Sequence, residues 1–426
     1  MRIDRLPSPT GIWARPNPAC VPADGFRSTH EDPWVDSMTA LRALRQSAPA
    51  RPHVAWEAPL TVFLRTAPAI GPDGTVYAMG SDNTLRAFDW KTGRPLWEIE
   101  RRGGILGSQD NYLSAGEHRV YCTTAGGEVL ALNASNGEPL WAESVVGPLE
   151  APPAQGPDGA MYVAGRGGIL YRLNPDCGQR DWVARIGASG YQASQPVITP
   201  SGLVVVGNAE GRLAAFRAAD GERAWSLPIG PEGKTVCVHP GACQDGLLLV
   251  GTSHGAVVVL DEEGRERWRH QDAPEQHFQA PVRWKDTLVA ASQDQVVGLR
   301  EGRVAWRRAV PEGLTTPPVV DDQGRVAVGA FDGTVQVLDA ETGTPVWSGR
   351  GADSVQERPV WGPEGVVLTS GFDDAAGQPR LCALVGDEAA WTAARARETT
   401  SGASGVMVRE DSIRVGAVQL KRRRLT

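Results

Sequence analysis

The sequence has 426 residues and a formal net charge of -7. That length exceeds the roughly 250–300 residues that one hydrophobic core sustains, so the chain is either multidomain or built of units that share no common centre. Hydrophobic content of 41% and charged content of 22% exclude wholesale disorder. The acidic balance argues against a nucleic-acid binder.

The chain opens "MRIDRLPSPTGIWARPNPAC", which has no apolar run suited to a signal-peptide core. Taken as the native start, it places the protein in the cytoplasm. No stretch reaches the roughly 18 apolar residues of a membrane helix, so no membrane association is expected. Residues 1–50 read as an irregular, Pro-rich extension with one short helix at about 32–46. Asp32 suits its cap and Pro33 its first turn. Val35, Met38, Leu41 and Leu44 share one face, fit for packing on the rest of the chain or for docking a partner.

From residue 51 onward the sequence repeats. Trp56, Trp97, Trp141, Trp182, Trp225, Trp268, Trp306, Trp347 and Trp391 recur with spacings of 38 to 44 residues. Such a period marks a repeat architecture. Gly93, Gly137, Gly178, Gly221, Gly264, Gly302 and Gly343 each lie four residues before a Trp, and Gly386 lies five before Trp391. In "GTVQVLDAETGTPVW" (333–347) an apolar run suits a strand. The Asp starts a turn through its own side chain, the Gly supplies a positive φ, and the Trp opens the next strand.

The unit ending at Trp97 contains four such segments, "TAPAI", "TVYAM", "TLRAFD" and "RPLWEI", joined by "GPDG", "GSDN" and "KTG". Four antiparallel strands per repeat, with no helical pattern between them, predict an all-β chain folded as a β-propeller. The nine tryptophans are read as packing between blades. Units ending at Trp97 through Trp391 make eight blades. Two fragments are left over, "HVAWEAP" around Trp56 and 404–420; joined, they would make a ninth. The propeller is expected to span 51–420, with 421–426 as a solvated basic tail.

The phrase "DGTVYAMGSDNTLRAFDWKTGRPLW" and its recurrences across 56–391 resemble the repeat of the PQQ-like propeller superfamily. The resemblance implies the fold. The superfamily includes quinoprotein dehydrogenases, a lipoprotein of the outer-membrane β-barrel assembly machinery, and non-catalytic cytoplasmic members. The dehydrogenases carry adjacent cysteines, whereas Cys20, Cys122, Cys177, Cys237, Cys243 and Cys382 are scattered. Their calcium ligands and catalytic Asp have no counterpart that can be placed here. A lipobox would need an apolar stretch before Cys20.

Local patterns carry little chemistry. "GTSHG" (251–255) matches a nucleophile elbow, but it aligns with a turn between two strands, where Ser253 would not be activated. "GPEGKT" (230–235) lacks both the first glycine of a phosphate loop and a following helix. Cys237, His239 and Cys243 fall within seven residues without a fourth ligand for zinc. No catalytic, cofactor or metal residue is assigned, and no cofactor is expected.

The connection from each Trp strand to the next unit is longer than the other three and opens at the channel mouth. Gln109, Asp110, Tyr112, Tyr191, Gln192, His277, Phe278, Gln279, Gln356, Glu357 and Arg358 lie there. A polar and aromatic rim on a rigid scaffold suits a protein interface. The sequence therefore reads as a cytoplasmic, non-enzymatic scaffold that binds one or more proteins through this face, without nucleic acid or membrane. Two alternatives stand beside it: a divergent quinone- and calcium-dependent dehydrogenase, and an exported barrel-assembly scaffold.

Overall fold

The computed structural model describes residues 53–60, 64, 67–80, 82, 84–102, 111–124, 126–149, 151–187, 193–230, 238–314, 316–352, 354–355, 357–373, 377–387, 391, 408–415 and 418–425. The chain partitions at Gln46/Ser47, and every described residue belongs to the unit Ser47–Thr426. The helix expected at 32–46 lies outside the described residues.

Eight antiparallel sheets form the ring of a β-propeller. Blade 1 contains the strands Ala69–Ile70, Val76–Met79, Thr84–Phe88 and Pro95–Arg102, ordered from the channel outward. Blades 2 to 7 repeat that order within residues 111–144, 154–185, 197–228, 238–271, 282–309 and 319–350. The second and third strands are the most buried, as in "VYAM" and "AVVVLD". They are covered on both faces, which explains their near-continuous apolar runs.

The turn after each third strand follows the chemistry of its sequence. In blade 1 Asp89 Oδ1 accepts the backbone N–H groups of Lys91 (3.1 Å) and Thr92 (2.8 Å). Asp339 repeats this in blade 7 with Glu341 (3.1 Å) and Thr342 (2.8 Å). The following glycines, Gly93 and Gly343, both take φ of 67°.

The tryptophans lie between blades, as their period predicts. Trp97 and Trp347 are almost fully buried, while Trp182, Trp225, Trp268 and Trp306 are half-buried. Each indole N–H of Trp97, Trp141, Trp182, Trp225 and Trp306 donates to a carbonyl in the next blade, at 2.7 to 3.1 Å.

The ends of the chain depart from the simplest reading. Blade 8 takes four strands from residues 354–385, the innermost position shared by the short pieces Ser354–Val355 and Val360–Trp361, but its outermost strand is His53–Pro59, paired antiparallel with Gln378–Val385. The expected position of Trp391 on that outer strand is thus occupied by Trp56. Trp391 instead packs beside Trp90 with ring centroids 5.8 Å apart. The N-terminal strand closes the ring, since Trp56 Nε1 donates to the Trp90 carbonyl of blade 1 at 2.6 Å. Pairing this N-terminal strand with Gln378–Val385 covers an edge that the last blade would otherwise expose.

The C-terminal fragment does not join Trp56 in a ninth blade. Its strands Val408–Val415 and Val418–Leu425 form a hairpin that extends blade 1 to six strands. Residues 421–425, expected as a solvated tail, belong to the second of these strands.

Candidate functional site

The inner strands converge on a central cavity of about 540 Å³, within the size range of ligand and peptide clefts. Its lining has a simple sequence origin. In seven of the eight blades a proline marks the inner strand, and the residue before it reaches the cavity: Ala67, Pro152, Gln195, His239, Ala280, Pro317 and Arg358. A residue preceding proline is held extended, which fixes how the chain enters the channel. Blade 2 has no such proline and contributes Tyr112, Leu113 and Ser114. Small and imino side chains form most of this set, so Gln195, His239 and Arg358 stand out as its polar members.

His239 is half-buried on the strand Val238–Gln244. Burial, and then the nearby charge of His277, hold its imidazole below the ordinary histidine value. Arg358 is also half-buried, and burial lowers the proton affinity of its guanidinium while Glu357 partly offsets that. Neither shift removes the charge of an arginine at neutral pH. The cavity thus pairs one fixed cation and its adjacent Glu357 with amide groups from Gln195, Asn208 and Gln279. This set is suited to recognising polar or charged groups.

The mouth of the channel is built by two kinds of connection. The turn between the second and third strands gives a backbone carbonyl to the chain leaving the outer strand of the same blade. Gly127 O accepts from Val145 N at 2.7 Å, Gly168 O from Ile186 N at 2.8 Å and Gly211 O from Ile229 N at 2.8 Å. Those short bonds tie the loop-rich face to the rigid sheets.

Of the residues assigned to that face from the sequence, Tyr112, Gln279, Glu357 and Arg358 line the cavity, and His277 is exposed. Phe278 is corrected: it is fully buried among Leu249, Val257 and Leu288 of blades 5 and 6, because the connecting loop threads between the blades before reaching the channel. Gln109, Asp110, Tyr191, Gln192 and Gln356 lie outside the described residues, as does Cys237. Gln195 and His239 were not assigned to the face. The recurring residue-proline pair was the signal that could have found them. Ser253 sits in a strand-to-strand turn, as its alignment predicts.

Residues 48–115, 107–239 and 253–377 match the model of the family described as outer membrane protein assembly factor BamB. The chain belongs to that family. It is 28% identical over 332 residues to the BamB of Xanthomonas campestris pv. campestris, covering 73% of this chain and 80% of that one. It is 25% identical over 362 residues to the BamB of Shewanella oneidensis, covering 77% and 86%. The crystal structure of BamB from Moraxella catarrhalis aligns with a TM-score of 0.61 at 18% identity, over 78% of this chain and 98% of that one, a likeness of fold.

BamB family membership agrees with a non-enzymatic propeller scaffold for protein interaction, since the family is named for an assembly factor. It overturns two expectations. Relatives named for outer membrane protein assembly contradict both a cytoplasmic location and the exclusion of a membrane partner. A propeller's repeat is the same in any compartment, so the ring itself carries no signal of location.

Proposed function

We propose that this protein is an exported scaffold for outer membrane protein assembly, and that it engages a protein of the assembly apparatus through the loop-rich mouth of its channel. The family match spanning most of the ring carries this reading. The mouth is favoured because Tyr112, Gln279, Glu357 and Arg358 line the channel from blades 2, 6 and 8, next to connections tied to rigid sheets. Variable, polar loops on such a support are where propellers differ from one another.

The test uses cells in which the gene is deleted and restored with wild type or with an Arg358→Glu, Gln279→Ala variant. Fractionation should place the wild type with the cell envelope, and the deletion should lower the content of folded outer-membrane β-barrels. The variant should accumulate at the wild-type level yet fail to restore that content. Recovery of the protein in the cytosol would overturn the location. Full restoration by the variant would remove the mouth from the reading.

A further inference from the structure

Among the described residues, blade 1 is the only blade whose outer strand is paired on its outward edge. That strand, Pro95–Arg102, has eight residues, whereas the outer strands of the other blades have six or seven. The hairpin strand Val418–Leu425 pairs with it antiparallel, from Gln419 opposite Arg102 to Arg424 opposite Trp97.

The register sets opposite charges against each other at alternate positions, while Arg422 and Arg424 stand opposite the apolar Ile99 and Trp97. Lys421 stands opposite Glu100 and Arg423 opposite Glu98. One strand further out, Glu410 stands opposite Arg423. Glu98, Arg423 and Glu410 therefore share one register position across three strands. On either side of Glu98 the buried residues Trp97 and Ile99 join the apolar layer shared with blade 2. The strand thus presents acids at alternate positions on its other face.

A hairpin of two strands is marginally stable by itself, so this one owes its place to the edge it pairs with and to the contact of Val408–Val415 with the outer strand Pro139–Ser144 of blade 2. Main-chain hydrogen bonds of that kind accept any extended segment, and alternate side chains choose among them. We propose that the outer edge of blade 1 is a strand-addition site for an extended segment of a partner protein carrying basic residues at alternate positions, and that the chain's own terminal hairpin occupies it as an exchangeable strap. The site lies on the rim of the ring, apart from the channel mouth.

The probe is a labelled alternating Thr-Lys peptide of the hairpin strand's length, with a Thr-Glu peptide as its counterpart, titrated by fluorescence anisotropy. It is added to the full chain, to a chain lacking residues 404–426, and to the full-length Lys421→Glu, Arg423→Glu variant. That variant sets like charges against Glu98 and Glu100 without truncation. Both altered chains should bind the Thr-Lys peptide about tenfold or more tightly than the full chain does, and should ignore the Thr-Glu peptide. Adding Glu98→Gln and Glu100→Gln should abolish the gain. Hydrogen exchange on the full chain should release the amides of Val418–Leu425 well before those of Val76–Met79 in the same sheet. Equal peptide binding by all three chains, equal binding of the two peptides, or equal protection of the two strands would overturn the proposal.

Discussion

The indole of Trp97 in blade 1 lies flat against the α-carbon of Gly137 in blade 2. A Cβ on Gly137 would sit 2.6 Å from Trp97 Cε3, and the same indole donates its N–H to Ala134 O at 3.1 Å. The contact recurs around the ring, as Trp56 on Gly93, Trp141 on Gly178, Trp306 on Gly343 and Trp347 on Gly386. The repeat's glycine and tryptophan therefore address each other across blades rather than within one.

Gly137→Ala should destabilise the protein by about 3 kcal/mol, combining a left-handed backbone with overpacking. Gly202→Ala is the control. Gly202 has a φ of 83° but nothing near its α-carbon, so only the backbone cost of about 1–2 kcal/mol should remain. Urea unfolding of both variants checks this, and equal losses would mean the indole contact contributes nothing.

Substituting phenylalanine separates the ring from its N–H. Trp141 Nε1 donates to Pro175 O at 2.7 Å, whereas the buried Nε1 of Trp391 has no hydrogen-bond partner among the described residues. Trp141→Phe should cost about 1–3 kcal/mol more than Trp391→Phe, because it strands a carbonyl that was paired. Denaturant midpoints of the two variants are the measurement, and the reverse order would refute the hydrogen-bond assignment.

Acid should weaken the fold partly through the channel. The imidazole of His239 is held below its ordinary value by burial and by His277. As pH falls through the ordinary histidine range near 6.5, the unfolded chain takes up a proton that the folded site resists. Stability contributed by the neutral ring is thus complete above that range and is lost below it, until the folded site protonates too. His239→Gln should flatten the decline of stability between neutral and mildly acidic pH, by at most about 1.4 kcal/mol per pH unit. Parallel wild-type and variant curves would exclude this residue as the source.

Thiol reactivity should follow burial. Cys177 is exposed in a turn, whereas Cys122 and Cys382 are buried, and burial pushes the Cys382 thiol up to about 12. Mild alkylation of the native protein near neutral pH should modify Cys177 and spare the other two until the protein unfolds. Peptide mapping by mass spectrometry resolves the three positions; early labelling of Cys382 would contradict the packing of blade 8.

Much of the ring is legible in the residues because a propeller is written locally. Strand, Asp or Asn turn, glycine and tryptophan fall in one short phrase, and "DAETGTPVW" folds as its chemistry directs at Asp339 and Gly343. The site is less legible. The residue before each inner-strand proline faces the channel only because seven separate blades bring those positions to one axis, and Phe278 leaves the rim only because two blades close over it.

The periodic spacing of indoles was enough to specify a propeller of four-stranded blades, since each repeat encodes its own sheet and the faces it must bury, but it left eight and nine blades both open. It could not say which blade each Trp packs upon, that Trp56 would take the outer place expected of Trp391, or that a charged hairpin would lengthen blade 1. Those choices join residues about 40 to 330 positions apart through backbone pairing and contact across blades. Such pairings leave no period in the chain, so only the closed ring decides them.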